Sequence, residues 1–206
     1  MKPCHLPSSG SGFTLLEVLV SLVIIALGLL GLAGLQIRMQ QAHFESYQRS
    51  QALVLLYDMV ERIQSSRETA SCFAFTTNLT NGTPYVGSGV NAPTGCAMST
   101  SANNTMADNT IAEWDALLDG SAETSGGASV GAMVGARGCV SYGGSSTEVL
   151  SAVGAAIAGT GVYTVSIAWQ GLADSSSPTI NCANGLYDSE AKRRVVSTTF
   201  RLASLN

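Results

Sequence analysis

The sequence predicts an α+β fold in which one long N-terminal helix packs on a small antiparallel sheet. Three observations favour it. An apolar run covers residues 13–35, a helical pattern without proline continues to about residue 67, and strand-like alternation appears near the C-terminus. Helical and strand patterns that occupy separate parts of a chain are typical of α+β domains.

The apolar run is long enough to cross a bilayer. It holds 23 residues from Phe13 to Leu35 with a single ionisable side chain, Glu17, and a helix needs about 20 apolar residues to span the hydrocarbon. A charged group inside hydrocarbon costs about 2.5–3.5 kcal/mol on insertion scales. Glu17 therefore either has a function inside the membrane or lies at its edge and reaches for the headgroups.

The residues before the run indicate a processing site ahead of it. A secretory signal would carry small residues at a cleavage site after its apolar region, but Leu35 passes straight into QIRMQQ. The small residue Gly12 stands directly before Phe13 instead. Cleavage after Gly12 would keep the apolar helix and expose a new amine on Phe13, four residues from Glu17.

Residues 12–17, GFTLLE, resemble the class III signal of type IV pilins and pseudopilins, and the apolar continuation resembles minor pilins of the PilV type. The resemblance implies that a prepilin peptidase cuts between Gly12 and Phe13 and that Phe13 is N-methylated. It also implies that Glu17 pairs with the Phe13 amine of a neighbouring subunit during filament assembly. Such a pair would offset the cost of a carboxylate among apolar helices and favour one axial register between subunits.

The resemblance further implies a domain organisation, a set of partners and a cellular location. Residues 1–12 would be a leader that is removed, residues 13–35 the transmembrane and filament-core half of the helix, and residues 36–206 a periplasmic pilin domain. The expected partners are the prepilin peptidase, other minor and major pilins, and the inner-membrane assembly machinery. The expected location is the inner membrane, as a single-pass protein, and then the pilus. A minor pseudopilin of a type II secretion system is the alternative, because it shares the same N-terminal features.

Composition argues against other classes of function. The net charge of −4 becomes −5 once Lys2 is removed with the leader, whereas a nucleic-acid binder would carry a basic face. His43 is the one imidazole left in the mature chain, and no paired-carboxylate arrangement has a spacing that suggests catalysis. We therefore expect no enzyme activity, no cofactor, and no specific nucleic acid or small-molecule ligand. An adhesive head remains compatible with a structural role.

Four cysteines remain after the leader and its Cys4 are removed, and an even number in a periplasmic domain suggests two disulfides. Three connectivities are possible. We favour the two pairs that join segments following one another in the chain, which are Cys72–Cys96 and Cys139–Cys182. No CxxC spacing occurs, so no metal site is predicted.

Apolar periodicity predicts how the second half of the helix packs. Leu53, Leu56, Val60 and Ile63 repeat at three- and four-residue spacing, with Tyr57 beside them, which indicates a stripe for the globular domain. The segment that follows, residues 71–108, is rich in Ser, Thr, Asn and Gly and resembles the variable loop that follows the long helix in pilins.

A short helix is predicted next, over residues 110–118. Thr110 and Glu113 would form its capping box, and Trp114 would be a core anchor. The stretch over residues 121–138 is flexible by composition.

Three strands are predicted over residues 138–142, 162–169 and 194–202. The second carries Tyr163, Val165, Ile167 and Trp169 on one face, opposite Thr164, Ser166 and Ala168, and the third alternates in the same way. All three segments also resemble the C-terminal part of PilV-type pilins. The basic run over residues 192–194 is either a solvated cluster or a contact for anionic lipid, DNA or an acidic neighbour.

Overall fold

The structure is a computed structural model that describes residues 12–122, 124–129, 131 and 133–203. The chain divides into two compact units, Met1–Phe44 and Glu45–Asn206. We call the second unit the head. The proposed leader lies outside the described residues, apart from its last residue, Gly12.

The first long element, helix α1, covers Leu15–Ser65 and takes part in both units. It runs without interruption through Gly28, Gly31 and Gly34. Every side chain from residue 15 to residue 44 is exposed in the described chain. The apolar half of α1 is therefore not covered by any other part of the described chain.

In the head, α1 buries one face in the core. Ala52, Leu56, Met59 and Ile63 are at most 1% exposed, and their spacing of four, three and four residues keeps them on one side of a helix. The predicted stripe is correct for Leu56, Val60 and Ile63, which are buried. It is wrong for two members, because Leu53 is 38% exposed and Tyr57 is 57% exposed. Each lies one residue past the buried face, about 100° further around the helix.

The predicted loop over residues 71–108 is wrong in part, because it contains regular structure. A 3₁₀ helix covers Arg67–Phe73, strand β1 covers Val86–Gly87, and helix α2 covers Ser101–Leu118. Helix α2 therefore begins nine residues before the predicted start at residue 110. The extra turns extend its buried stripe by Ala107.

The capping box predicted at Thr110 and Glu113 is also wrong. The N-cap of α2 is Thr100, whose hydroxyl oxygen accepts a hydrogen bond from the Asn103 amide at 3.3 Å. The Thr110 hydroxyl instead donates to a main-chain carbonyl four residues earlier in the same helix, and Glu113 forms an ion pair with Arg62 at 3.0 Å. Trp114 is fully buried, which confirms it as a core anchor.

The main sheet is antiparallel and has the strand order β1-β4-β5-β6. Its long strands are β4, Arg137–Tyr142, β5, Val162–Gln170, and β6, Arg193–Arg201. The three predicted strands are thus confirmed to within one residue at each end. The segment predicted to be flexible instead contains a small hairpin, β2, Thr124–Ser125, and β3, Ala128–Ser129, followed by two buried side chains, Met133 and Ala136.

Both faces of strand β5 are covered. Tyr163, Val165, Ile167 and Trp169 are buried in the same cluster as the inner faces of α1 and α2. The opposite face is also buried at Ala168, which packs in a second cluster with Cys139, Cys182 and Ala183. The irregular segment between β5 and β6 covers this opposite face. The sheet therefore lies between the two helices on one side and this segment on the other.

Two disulfides are present, and they are the pairs that we favoured. Cys72 bonds to Cys96 and Cys139 bonds to Cys182. The first ties the 3₁₀ helix to the loop that precedes α2, and the second ties strand β4 to the segment that covers the sheet.

The basic run over residues 192–194 is not a solvated cluster. Arg193 is 1% exposed, forms an ion pair with Glu190 at 2.6 Å, and donates to the carbonyl of Ile180 at 2.6 Å. Arg194 donates to the carbonyl of Ala173 and pairs with Glu45 of α1. These arginines hold the segment before β6 in place.

Candidate assembly site at the start of the long helix

The N-terminus of α1 is set by its own sequence. Thr14 precedes the first helical residue and caps the helix, because its hydroxyl oxygen accepts from the Glu17 amide at 3.3 Å. Its main-chain carbonyl also accepts from the amides of Glu17 and Val18. Thr14 and Glu17 thus have the Thr-x-x-Glu spacing of a capping box. Sequence reasoning missed this signal and placed a capping box at Thr110 instead.

This cap places Glu17 in the first helical turn. A carboxylate there is favoured by the partial positive charge of the helix N-terminus. Its side chain is exposed and has no hydrogen-bond or ion-pair partner among the residues that the structure describes. An ionisable group in an apolar segment therefore remains available to a group outside the described residues.

Gly12 and Phe13 lie just before the cap and are also exposed. Phe13 is 83% exposed, and a Cβ added to Gly12 would meet nothing within 4 Å. The peptide bond between them is therefore not covered by the described part of the chain. Gly12, Phe13 and Glu17 form one local group, whereas the four paired cysteines lie in the head.

The helix that follows is apolar on all sides. Described residues contain one helix that is long and apolar enough to cross a membrane, judged by length and composition, and it is α1. A helix that is apolar all round needs lipid or other helices to cover it. In the described chain, no group of three or more His, Cys, Asp or Glu side chains could hold a metal ion.

Two family models match the chain. Residues 8–33 match the prokaryotic N-terminal methylation motif, which includes Gly12, Phe13 and Glu17. Residues 34–117 match the family described as type IV pilin Tt1218. Residues 34–117 are similar to a type IV pilin, and residues 8–33 carry a prepilin N-methylation motif. No curated protein and no solved structure matches it.

The two matches agree with the architecture. The pilin model ends at residue 117 and so covers the head half of α1, the first disulfide and nearly all of α2. The fold, a long apolar helix packed on a small antiparallel sheet, is that of a type IV pilin. Proteins of this family are structural. The motif implies processing by a prepilin peptidase and assembly with other pilins, and together with the apolar helix it fits anchoring in a membrane.

Proposed function

We propose that this pilin is a minor pilin of the PilV type that enters a type IV pilus through its N-terminal helix. One observation carries the proposal: a methylation motif over residues 8–33 includes the start of a helix whose side chains are exposed through residue 44. The chain would first be held in the inner membrane by residues 13–35, with residues 36–206 in the periplasm. The same apolar surface would then pack against other pilins in the filament.

Processing between Gly12 and Phe13 is the first step of this proposal. The mature chain recovered from membranes or sheared filaments should begin at N-methylated Phe13. N-terminal sequencing and the mass of the N-terminal peptide measure this directly, with a strain that lacks the prepilin peptidase as control. A chain that still begins at Met1 in cells with an active peptidase would contradict the proposal.

Glu17 is proposed to pair with the Phe13 amine of a neighbouring subunit. Its carboxylate has no partner in the described part of its own chain, and an unpaired charge among packed apolar helices is costly. A cation from the next subunit offsets that cost in one axial register and not in others. The pair would therefore act in incorporation rather than in insertion.

The substitution Glu17→Ala tests this role against a matched control. We expect normal membrane insertion but about ten-fold less of the variant in sheared filaments, which corresponds to a loss of about 1.4 kcal/mol per subunit contact. Glu61→Ala removes an exposed glutamate from the head half of the same helix and should leave incorporation unchanged. Both amounts are measured by immunoblot of membrane and filament fractions, and equal incorporation of the two variants would refute the pairing.

Deletion of the gene separates the pilus from the type II secretion alternative. Under the proposal, deletion reduces surface pili and pilus-dependent movement and leaves the release of secreted enzymes unchanged. The opposite pattern would identify a minor pseudopilin. The resemblance of strands β4, β5 and β6 to PilV-type pilins supports the pilus.

A further inference from the structure

Two Asn-Gly pairs occur in the sequence, at residues 81–82 and 184–185. The main-chain nitrogen after an asparagine can attack the side-chain amide carbon, and glycine favours this because it has no side chain to hinder the approach. Ammonia leaves, a cyclic imide forms, and water opens the imide to aspartate or isoaspartate. Each pair is therefore a candidate site of spontaneous modification, and its surroundings in the fold decide whether it reacts.

The two pairs lie next to each other in the head. The Asn184 amide donates to the carbonyl of Asn81 at 3.2 Å, and the Ala183 amide donates to the carbonyl of Gly82 at 3.3 Å. Both pairs therefore belong to the same region of the molecule. A difference in their reactivity has to come from the contacts of each pair.

The contacts of Gly82 oppose the reaction. Gly82 is buried, and a Cβ added to it would lie 2.0 Å from the carbonyl oxygen of Asn181 and 2.5 Å from Cα of Cys182. Its amide donates to the carbonyl of Asn78 at 2.8 Å. The main chain at Gly82 thus has little room to rotate, and a neutral carbonyl is too weak a base to remove the proton that the nitrogen must lose.

The contacts of the second pair favour the reaction. Asn184 is half-buried and Gly185 is exposed, and a Cβ added to Gly185 would meet nothing within 4 Å. The side-chain amide of Asn184 makes no hydrogen bond to any residue that the structure describes. The amide carbon of Asn184 is therefore not restrained by a partner in the described chain, and the glycine has space around it.

A carboxylate lies at the reacting nitrogen. The Gly185 amide donates to Oε1 of Glu190 at 2.8 Å, and a general base has to lie about 2.6–3.2 Å from the atom that gives up the proton. The other oxygen of Glu190 is held at 2.6 Å by Nε of Arg193, which is 1% exposed. This hydrogen bond from Gly185 lies in the plane of the planar peptide group. It therefore leaves open the face of the nitrogen that would attack Asn184.

We propose that Asn184 is converted spontaneously to aspartate and isoaspartate in the folded protein, with Glu190 as the general base. The Gly185 nitrogen bonds to Cγ of Asn184 as its proton passes to Glu190. The bond from Cγ to the side-chain nitrogen breaks, and Glu190 returns the proton so that ammonia leaves. Water then adds to one of the two imide carbonyls and opens the ring. This inference does not depend on the proposed function.

The products change the segment that covers the outer side of the sheet. Both products place a negative charge at residue 184, close to Cys182 in the chain. Isoaspartate also routes the main chain through the former side chain, which lengthens it and shifts the Gly185 amide away from Glu190. Because the reaction needs no enzyme, the modified fraction increases with the time since the chain folded.

Ageing the purified full chain in detergent at neutral pH tests the proposal without any variant. Peptide mass spectrometry measures aspartate and isoaspartate at residues 184 and 81 over time. In the native protein Asn184 should convert at least about ten-fold faster than Asn81, the low end of what a positioned base contributes. In the chain unfolded by guanidinium the two should convert at similar rates. Equal rates in the native protein, or no conversion of Asn184, would overturn the inference.

Replacing Glu190 with Gln tests the base itself. The glutamine oxygen still accepts from the Gly185 amide but cannot take up its proton, so conversion of Asn184 should slow about ten-fold. Asp188→Asn removes an exposed carboxylate from the same segment and should leave the rate unchanged.

The direction of the change separates a base from a residue that only holds the turn. If Glu190 only restrained Gly185, conversion in Glu190→Gln would be unchanged or faster, and either result would overturn the assignment, as would equal slowing in Asp188→Asn. Formation of both disulfides in each variant verifies folding. If Glu190→Gln does not fold, the comparison of Asn184 with Asn81 in the wild-type chain decides the question.

Discussion

Gly138 lies in strand β4 where the ring of Trp114 packs against the main chain. A Cβ added there would lie 2.2 Å from Cη2 and 2.3 Å from Cζ3 of Trp114, which is too close for any real contact. The indole cannot move away easily, because its Nε1 donates to the carbonyl of Leu55 at 3.0 Å. The absence of a side chain at Gly138 is therefore required by the packing of α2 on the sheet.

The substitution Gly138→Ala should lower the free energy of unfolding of the head by about 1–3 kcal/mol, the usual cost of overpacking a core. Thermal unfolding of the purified full chain in detergent measures the change. Gly31→Ala is the control, because a Cβ at Gly31 meets nothing within 4 Å. An unchanged Tm for Gly138→Ala would show that the indole can be displaced at little cost.

Asp115 in α2 makes the stability of the head depend on pH. Burial raises the pKa of its carboxyl group above the ordinary value of 3.8, the charge of Asp119 adds to this, and a hydrogen bond from the Gly87 amide opposes it. The folded state therefore holds this proton to a higher pH than the unfolded state does. Its contribution to the free energy of unfolding falls as pH rises from 3.8 through the raised pKa, and is constant above it.

Replacing Asp115 with Asn should remove that part of the pH dependence, because the amide oxygen still accepts from Gly87 but no proton is gained or lost. Urea unfolding at several pH values, starting near 3.8, measures the slope for the wild type and for Asp115→Asn. Asp174→Asn, at an exposed carboxylate, is the control. Identical slopes for the wild type and Asp115→Asn would contradict the assignment.

At the scale of elements, helix α2 holds the loop that precedes it with two polar side chains. The amide oxygen of Asn104 accepts from the amides of Met98 and Ser99, at 3.1 and 2.9 Å. The carboxylate of Asp108 accepts from the amides of Gly95 and Cys96, at 2.9 and 3.0 Å. The loop is thus fixed in the native state by hydrogen bonds as well as by the disulfide at Cys96.

These two restraints should be separable. Replacing Cys72 and Cys96 with serine should cost about 3 kcal/mol, mainly by freeing the unfolded chain, while amide hydrogen exchange at Met98 and Ser99 stays slow in the native state. Adding Asn104→Ala should make those amides exchange quickly. Exchange followed by mass spectrometry measures both. Rapid exchange in the double-serine variant alone would show that the disulfide, and not α2, shapes the loop.

Elements with strong periodicity were predictable from the sequence. Helix α1 and strands β4, β5 and β6 follow from the spacing of their apolar residues. The start of α2 was not predictable in the same way, because Ser, Asn and Thr usually favour loops by hydrogen-bonding to nearby main chain. In α2 these residue types make such hydrogen bonds but lie inside a helix. The cover of Ala168 and the burial of Arg193 depend on carbonyls and a cystine in an irregular segment, which carries no periodic signal.

The candidate site was easier to predict from the sequence than the structure of the head. Gly12, Phe13 and Glu17 are close in sequence and belong to one local motif, so no tertiary information was needed to find them. The proposed partner of Glu17 belongs to another subunit, and its side chain is exposed in the described chain. The exposure of Val149 and Leu172 was not predictable, because only the fold decides which apolar side chains face solvent.

For the whole molecule, the two units bury their apolar surface in different ways. The head encloses a core to which α1, α2 and the sheet all contribute, whereas the apolar half of α1 has no cover within the described chain. A monomer in water would therefore be expected to aggregate through residues 13–35 and not through the head. This division suits a protein whose apolar helix is covered by lipid or by the helices of other proteins.

The cystine between Cys139 and Cys182 has a practical consequence for producing this protein. It joins strand β4 to the segment that shields the outer side of the sheet, next to Ala168 and Ala183. In a host cytoplasm where thiols stay reduced, the segment between β5 and β6 would be held on the sheet by noncovalent contacts alone. The outer side of the sheet would then be partly uncovered during expression. Export to an oxidising compartment, or refolding with a glutathione couple, is the sounder route to well-folded protein.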